Sequence, residues 1–272
     1  MKKAFLFLLA AIALCSCSQQ SEKTSKSLIL YYSQTDYTRQ VAKLLQFKTG
    51  ADIDSIVPVQ AYDGDFQQTI VRCQKEFANN EAPKIKPLSH NIADYDTIYI
   101  GYPVWFGTYA QPIAGLVQAE NFAGKVIIPF CTFGSGGLNT SSDKLKAALP
   151  HSTFLPGYGV RSARVSAAAS SELDEFLIRN RIKPGELPQL PNYSDAEPVT
   201  EEQVQIFNAA CGSYPMPLGT PVTACSRTLD NGTDYEFTAE TATPDGNKIR
   251  SRIYVFVSNE EGATPEFIMA KR

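Results

Sequence analysis

Three short stretches of the chain carry the residue types from which a site for a phosphorylated, planar ligand is built. The first, Ser33-Gln34-Thr35-Asp36-Tyr37-Thr38, sets three hydroxyls directly before a helix-like run. A helix N-terminus offers unpaired backbone N–H groups and the positive end of the helix dipole, which favour a phosphate, and hydroxyls add donors. The same residue types also cap helices that bind nothing, so this stretch alone leaves both roles open. The second, Gly101-Tyr102-Pro103-Val104-Trp105-Phe106-Gly107-Thr108, holds the chain's one tryptophan beside a phenylalanine. Aromatic rings on a loop stack on planar ligands, and glycine lets backbone approach closely. The alternative is a tryptophan packed beneath its own loop. The third, Thr132-Phe133-Gly134-Ser135-Gly136-Gly137, has three glycines in four residues, which suits amide contacts to a ligand or a flexible turn.

Each stretch follows a segment that reads as a strand buried on both faces. Residues 27–32 (SLILYY), 97–102 (TIYIGY) and 125–133 (KVIIPFCTF) are continuously apolar. Residues 52–59 (DIDSIVPV) and the weaker 153–160 read as two further strands. Helical patterns lie between and after them at 38–47, 66–78, 112–118, 142–148 and 171–181. The first carries Val41, Leu44 and Leu45, and the last Leu173, Phe176, Leu177 and Ile178, at helical spacing. Five strand–helix units in a row predict an α/β fold, a doubly wound five-stranded parallel sheet with right-handed crossovers. The three stretches then share the carboxyl edge of that sheet, where open α/β sheets bind ligands.

Together the stretches resemble the flavodoxin family. The likeness rests on Tyr31-Tyr32-Ser33-Gln34-Thr35, Gly101-Tyr102-Pro103-Val104-Trp105-Phe106-Gly107 and Ile128-Pro129-Phe130-Cys131-Thr132, and covers roughly residues 27–181. It implies a flavodoxin-like strand order 2-1-3-4-5 and FMN as cofactor. Ser33, Thr35 and Thr38, with the loop amides, would hold the ribityl phosphate. Trp105 and Phe106 would lie against the isoalloxazine with Thr108 nearby, and Thr132, Gly134 and Gly136 would meet its other edge. Gln34, Asp36, Tyr37, Pro103, Val104, Gly107, Phe133 and Gly137 complete the implied cofactor-binding set. No acid–base residue is required, because the flavin carries the redox chemistry. One departure stands out: the family's phosphate loop reads Ser-x-Thr-Gly-Asn-Thr, whereas Asp36 and Tyr37 replace the Gly-Asn pair. Aspartate tolerates a left-handed backbone better than most residues, but a carboxylate beside a phosphate weakens binding unless it points away. FMN binding weaker than in a strict-consensus member is therefore expected. The competing reading is a flavodoxin-fold lipoprotein that has lost FMN and serves as a ligand-binding or structural module.

The remaining sequence sets the context. The 272 residues are 43% hydrophobic and 19% charged with a net charge of −3, which describes a globular chain with no electrostatic footprint for nucleic acid. Two histidines leave little room for a histidine-rich metal site. Lys2 and Lys3 precede an eleven-residue apolar run at 4–14, too short for the roughly 20 residues of a membrane span but fit for a signal peptide. The run ends in Leu14-Cys15-Ser16-Cys17, which resembles a bacterial lipobox. The expectation is a signal at 1–16, lipid on Cys17, a polar tether at 17–26 and an exported protein anchored to a membrane surface; ordinary signal cleavage is the alternative. Loss of Lys2 and Lys3 with no acid takes the charge to −5. Electrons or a hydride would then pass to a quinone, a redox protein or a small electrophile, and export argues against cytoplasmic NAD(P)H as donor.

The flavodoxin-like domain spans 27–183. A linker at 184–198, with Pro184, Pro188, Pro191 and Pro198, leads to a small α+β domain at 199–272. There a helix at 200–210 with Thr200 as its cap precedes alternating segments at 222–228, 235–239, 253–257 and 267–270. Asp230-Asn231-Gly232, Pro244-Asp245-Gly246 and Glu261-Gly262 supply the turns. This part is loosely similar to cystatin-like helix-plus-sheet domains and reads as a docking or structural module. Cys211 and Cys225 could close a disulfide in an exported protein, and Cys131 reads as a small core residue.

Overall fold

A computed structural model describes residues 26–63, 65–134, 137–214, 216–243 and 245–271. The signal, the lipobox with Cys17, most of the tether, and Ser135 and Gly136 of the third stretch lie outside the described residues. In chain order the first part folds as β1 (Ser27–Tyr31), α1 (Tyr37–Thr49), β2 (Asp52–Ser55), α2 (Phe66–Ala78), β3 (Thr97–Trp105) and β4 (Thr108–Tyr109). There follow α3 (Gln111–Ala119), β5 (Val126–Phe133), α4 (Leu138–Ala148), β6 (Thr153–Phe154), β7 (Tyr158–Arg161) and α5 (Val165–Arg179).

The sheet runs β2-β1-β3-β5, with β6 and then β7 pairing in parallel along the far side of β5. In parallel strands this is the expected order 2-1-3-4-5. Successive residues point to opposite faces, and both faces are covered. Leu28, Leu30, Ile98 and Ile100 pack into one core with Ile113 and Leu116, while Ile29, Tyr99, Ile128 and Phe130 pack into the other with Val41, Leu45, Leu173 and Leu177. Each fully buried Leu or Ile contributes about 1.5–3 kcal/mol, so the continuously apolar strands fix the sheet and its carboxyl edge together.

Three strands differ from the sequence expectation, each for a local reason, and α4 and α5 begin four and six residues earlier than expected. The strand expected over 52–59 stops at Ser55; Val57 and Val59 stay exposed, and residues 57–59 turn to pair around Pro58 with Ile85. The fifth strand is split into β6 and β7 around Pro156-Gly157, since proline gives the ladder no N–H. A Cβ on Gly157 would lie 2.5 Å from the Pro129 carbonyl oxygen, so only glycine lets the chain pass there. β3 runs three residues beyond the expected end and turns back as a hairpin with β4.

The second part holds β8 (Glu197–Pro198), α6 (Glu201–Cys211), β9 (Thr220–Leu229), β10 (Gly232–Ala242), β11 (Lys248–Ser258) and β12 (Glu266–Lys271), in the antiparallel order β12-β11-β10-β9-β8. Thr200 and Gln203 form a reciprocal capping box at the start of α6. One sheet face buries Phe237, Ile253, Val255 and Phe267 under Phe207 and Ala210 of the helix. Cys211 and Cys225 are both free thiols, so the bridge weighed from the sequence does not form here.

Candidate functional site

The first loop leaves β1 and enters α1 with Asp36 as N-cap in the left-handed region, at φ 72°. Its carboxylate caps nothing. It accepts from Arg39 Nε, and from Gln40 Nε2 at 3.3 Å, on the exposed flank of the helix. The Arg39 hydrogen bond holds the Asp36 carboxyl below its usual range. The backbone N–H groups of Gln34, Thr35, Asp36, Tyr37 and Thr38 meet no backbone acceptor among the described residues. The Arg39 N–H, in contrast, donates to Ser33 Oγ at 3.2 Å. A row of unpaired amides at the positive end of a helix, with the nearest carboxylate turned aside, fits an anion.

Thr38 is buried, and its hydroxyl lies 2.8 Å from that of buried Thr132. This bond ties the first loop to the third across the sheet edge. Thr35 is exposed and Ser33 half-buried. The Gln34 side chain turns inward, accepting from the Tyr32 hydroxyl and donating to the Tyr62 carbonyl. Its backbone N–H is then the group it can offer a ligand. Tyr37, the first residue of α1, is exposed.

The second loop is the β3–β4 hairpin. Val104 pairs with Tyr109 and Trp105 with Thr108, which leaves Phe106 and Gly107 as a two-residue turn with φ of 50° and 71°. Positive φ at both central positions is the signature of the primed turns that suit hairpin twist. The turn parts the two aromatics. Trp105 packs against the core edge-on to Tyr32 and Tyr62, with ring centroids 5.6 and 5.3 Å away. Phe106 stays 53% exposed, touching Phe77 edge-on at 5.8 Å. Trp105 thus supports the loop from beneath, and Phe106 is the ring left exposed. Thr108 is buried beside the turn, and Pro103 pairs with Thr132 across β3 and β5.

In the third loop Thr132 and Phe133 are buried at the end of β5. Gly134 follows with its carbonyl 3.5 Å from Arg161 Nε, and Gly137 begins α4 in extended conformation. A Cβ on Gly134 or Gly137 would meet no atom within 4 Å, so the backbone here borders open space. Cys131 is fully buried, which pushes its thiol up to about 12 and makes it a poor nucleophile. Among the described residues no cluster of three metal-ligating side chains occurs. The edge thus offers amides for an anion and an aromatic face for a planar group.

A sequence profile described as Flavodoxin matches residues 26–174, more than half of the chain. The chain belongs to the flavodoxin family. A Bacteroides uniformis ATCC 8492 protein assigned as a flavoprotein is 27% identical, with a TM-score of 0.50 over 55% of this chain and 98% of its own. One from Bacteroides eggerthii DSM 20697 is also 27% identical, with a TM-score of 0.49 over 58% and 99%. A Lactobacillus acidophilus NCFM flavoprotein crystallised with FMN is 24% identical, with a TM-score of 0.46 over 56% and 97%. No curated protein matches the chain. Membership bears out the expected FMN cofactor, and the amide row of the first loop fits its phosphate.

Sequence reasoning missed several residues of this flavodoxin edge. Tyr62 arrives from the loop before α2 to complete the ring cluster around Trp105, and Arg72 lies 3.6 Å over its ring. The Tyr62–Trp105 contact spans 43 positions, and no local pattern encodes it. Arg161 and Arg164 were passed over as well, although both closely follow the strand expected at 153–160.

Proposed function

We propose that this flavodoxin holds one FMN across its three loops and works as an electron carrier or FMN-dependent reductase at a membrane surface. The observation that carries the reading is the row of unpaired amides from Gln34 to Thr38, framed by Ser33 and by the Thr38–Thr132 bond. Those amides and the helix dipole receive the phosphate. Phe106 would lie against the isoalloxazine, and the backbone after Thr132 would meet its other edge. FMN, when bound, supplies one- or two-electron transfer. The chain orients it and shields it from water through the packed Trp105–Tyr32–Tyr62 cluster beneath. Its partner would be a redox protein or a quinone. Loss of FMN would be argued from Asp36 alone, and its carboxylate is already paired with Arg39. The lipobox-like run Leu14-Cys15-Ser16-Cys17, with Cys17 as the residue that would carry lipid, supports the membrane placement.

Titration of the apo full-length chain with FMN and with riboflavin tests the reading. Flavin fluorescence should quench at one equivalent of FMN. Riboflavin, lacking the phosphate, should bind at least about tenfold more weakly, because charge-assisted hydrogen bonds contribute about 1.5–3 kcal/mol each. Equal affinity for the two would remove the phosphate from the first loop, and no quenching by either would overturn the proposal.

A further inference from the structure

Arg161 stands opposite Phe133 in the β5–β7 register, so backbone position alone places it beside the third loop. Its Nε donates to the Gly134 carbonyl at 3.5 Å, and its Nη1 donates to the Phe267 carbonyl of β12 at 3.0 Å. The guanidinium lies 4.5 Å from the ring centroid of Phe267 and 5.3 Å from that of Tyr214, both in the C-terminal module. Three residues on, Arg164 has a side chain only 11% exposed. Its Nη2 pairs with Glu172 of α5 at 2.8 Å while its Nε pairs with Glu266 of β12. Glu172 in turn accepts from the Tyr158 hydroxyl at 2.8 Å. The first two residues of β12 are thus clamped by two arginines to the carboxyl edge of the parallel sheet, and one of those arginines also holds the loop that borders the ligand.

We infer that the C-terminal module is a positioning element of the cofactor site, docked through Glu266 and Phe267 so that Arg161 holds the Gly134 backbone in place. The inference rests on the FMN reading and adds a regulator to that site. A planar, donor-rich guanidinium holds the two carbonyls in a fixed fork. Fixing it against the touching rings of Phe267 and Tyr214 removes freedom that the loop backbone would otherwise have to overcome on binding. Because coupling is reciprocal, a docked module tightens FMN, and bound FMN holds the module docked. A protein partner that pulled on the module would loosen the cofactor edge.

The test uses the full chain with Arg161→Gln, Glu266→Gln and, as control, Glu240→Gln on β10, whose ion pairs reach Lys248 and Arg250 of β11. FMN affinity is read by fluorescence titration, and amide hydrogen exchange of residues 132–138 is read on the apo protein. Arg161→Gln and Glu266→Gln should each weaken FMN by about 5-fold or more and speed exchange in that segment, while Glu240→Gln stays within about twofold of the parent. A weakening by Glu266→Gln is the decisive sign, since that side chain belongs to none of the three loops; it decides alone if Arg161→Gln does not fold. Parental affinity and exchange in Glu266→Gln would overturn the inference and leave the FMN reading standing. A parent chain that takes up no FMN would overturn both.

Discussion

Asp36 occupies a backbone position with φ of 72°, where a side chain costs energy that glycine does not pay. The family's usual glycine at this point is thereby explained, and so is the tolerance of aspartate, whose short polar chain is among the few that visit the left-handed region. The sequence flagged the residue as a repulsive neighbour for phosphate; the structure shows the charge drawn off by Arg39 and Gln40. Asp36→Gly removes the residual repulsion. FMN should bind several-fold more tightly, while apo stability moves by less than about 1 kcal/mol, because relieved strain and a more flexible unfolded chain oppose each other. Unchanged affinity in a fluorescence titration would show that the carboxylate never reaches the site's field.

At the scale of elements, the edge depends on how β3 meets β5. Gly101 lies in register with Tyr31 and Phe130, and a Cβ there would fall 2.1–2.7 Å from atoms of the Phe130 ring. The ring is fully buried and cannot swing away. Gly101→Ala should therefore cost about 1–3 kcal/mol through overpacking, seen as a lower urea midpoint, and should disturb Thr132 two residues after Phe130. An unchanged midpoint would contradict the packing described here. The strands themselves were readable, because burial on both faces forces continuous apolar runs such as residues 27–32 and 125–133. Their ends were not: Pro58 diverts the chain after β2, Pro156-Gly157 splits the last strand, and the Phe106-Gly107 turn depends on a positive φ that no common hairpin dipeptide announces. The ring cluster of Tyr32, Tyr62 and Trp105 was hidden for another reason, since it joins three loops far apart in sequence.

The whole molecule is a flavodoxin domain carrying a second, antiparallel module pinned to its ligand edge. The hairpin turns and the Thr200 cap made that module visible in the sequence, but its docking was not, because Arg161 and Arg164 find their partners about a hundred residues away. No helix among the described residues is long and apolar enough to cross a membrane. The proposed membrane placement therefore rests on Cys17. Expressed from its full sequence in a bacterium, the protein should fractionate with membranes, and Cys17→Ser should move it to the soluble fraction. Unchanged membrane association of Cys17→Ser would refute lipid anchoring.

The central claim is that FMN sits on the three loops. Amide chemical-shift mapping of the isotope-labelled apo chain during FMN addition addresses it most directly. The account predicts the largest shifts at residues 33–38, with further changes at 103–108 and 132–137, and saturation at one equivalent. Saturable shifts confined to other parts of the chain, or none at all, would contradict it.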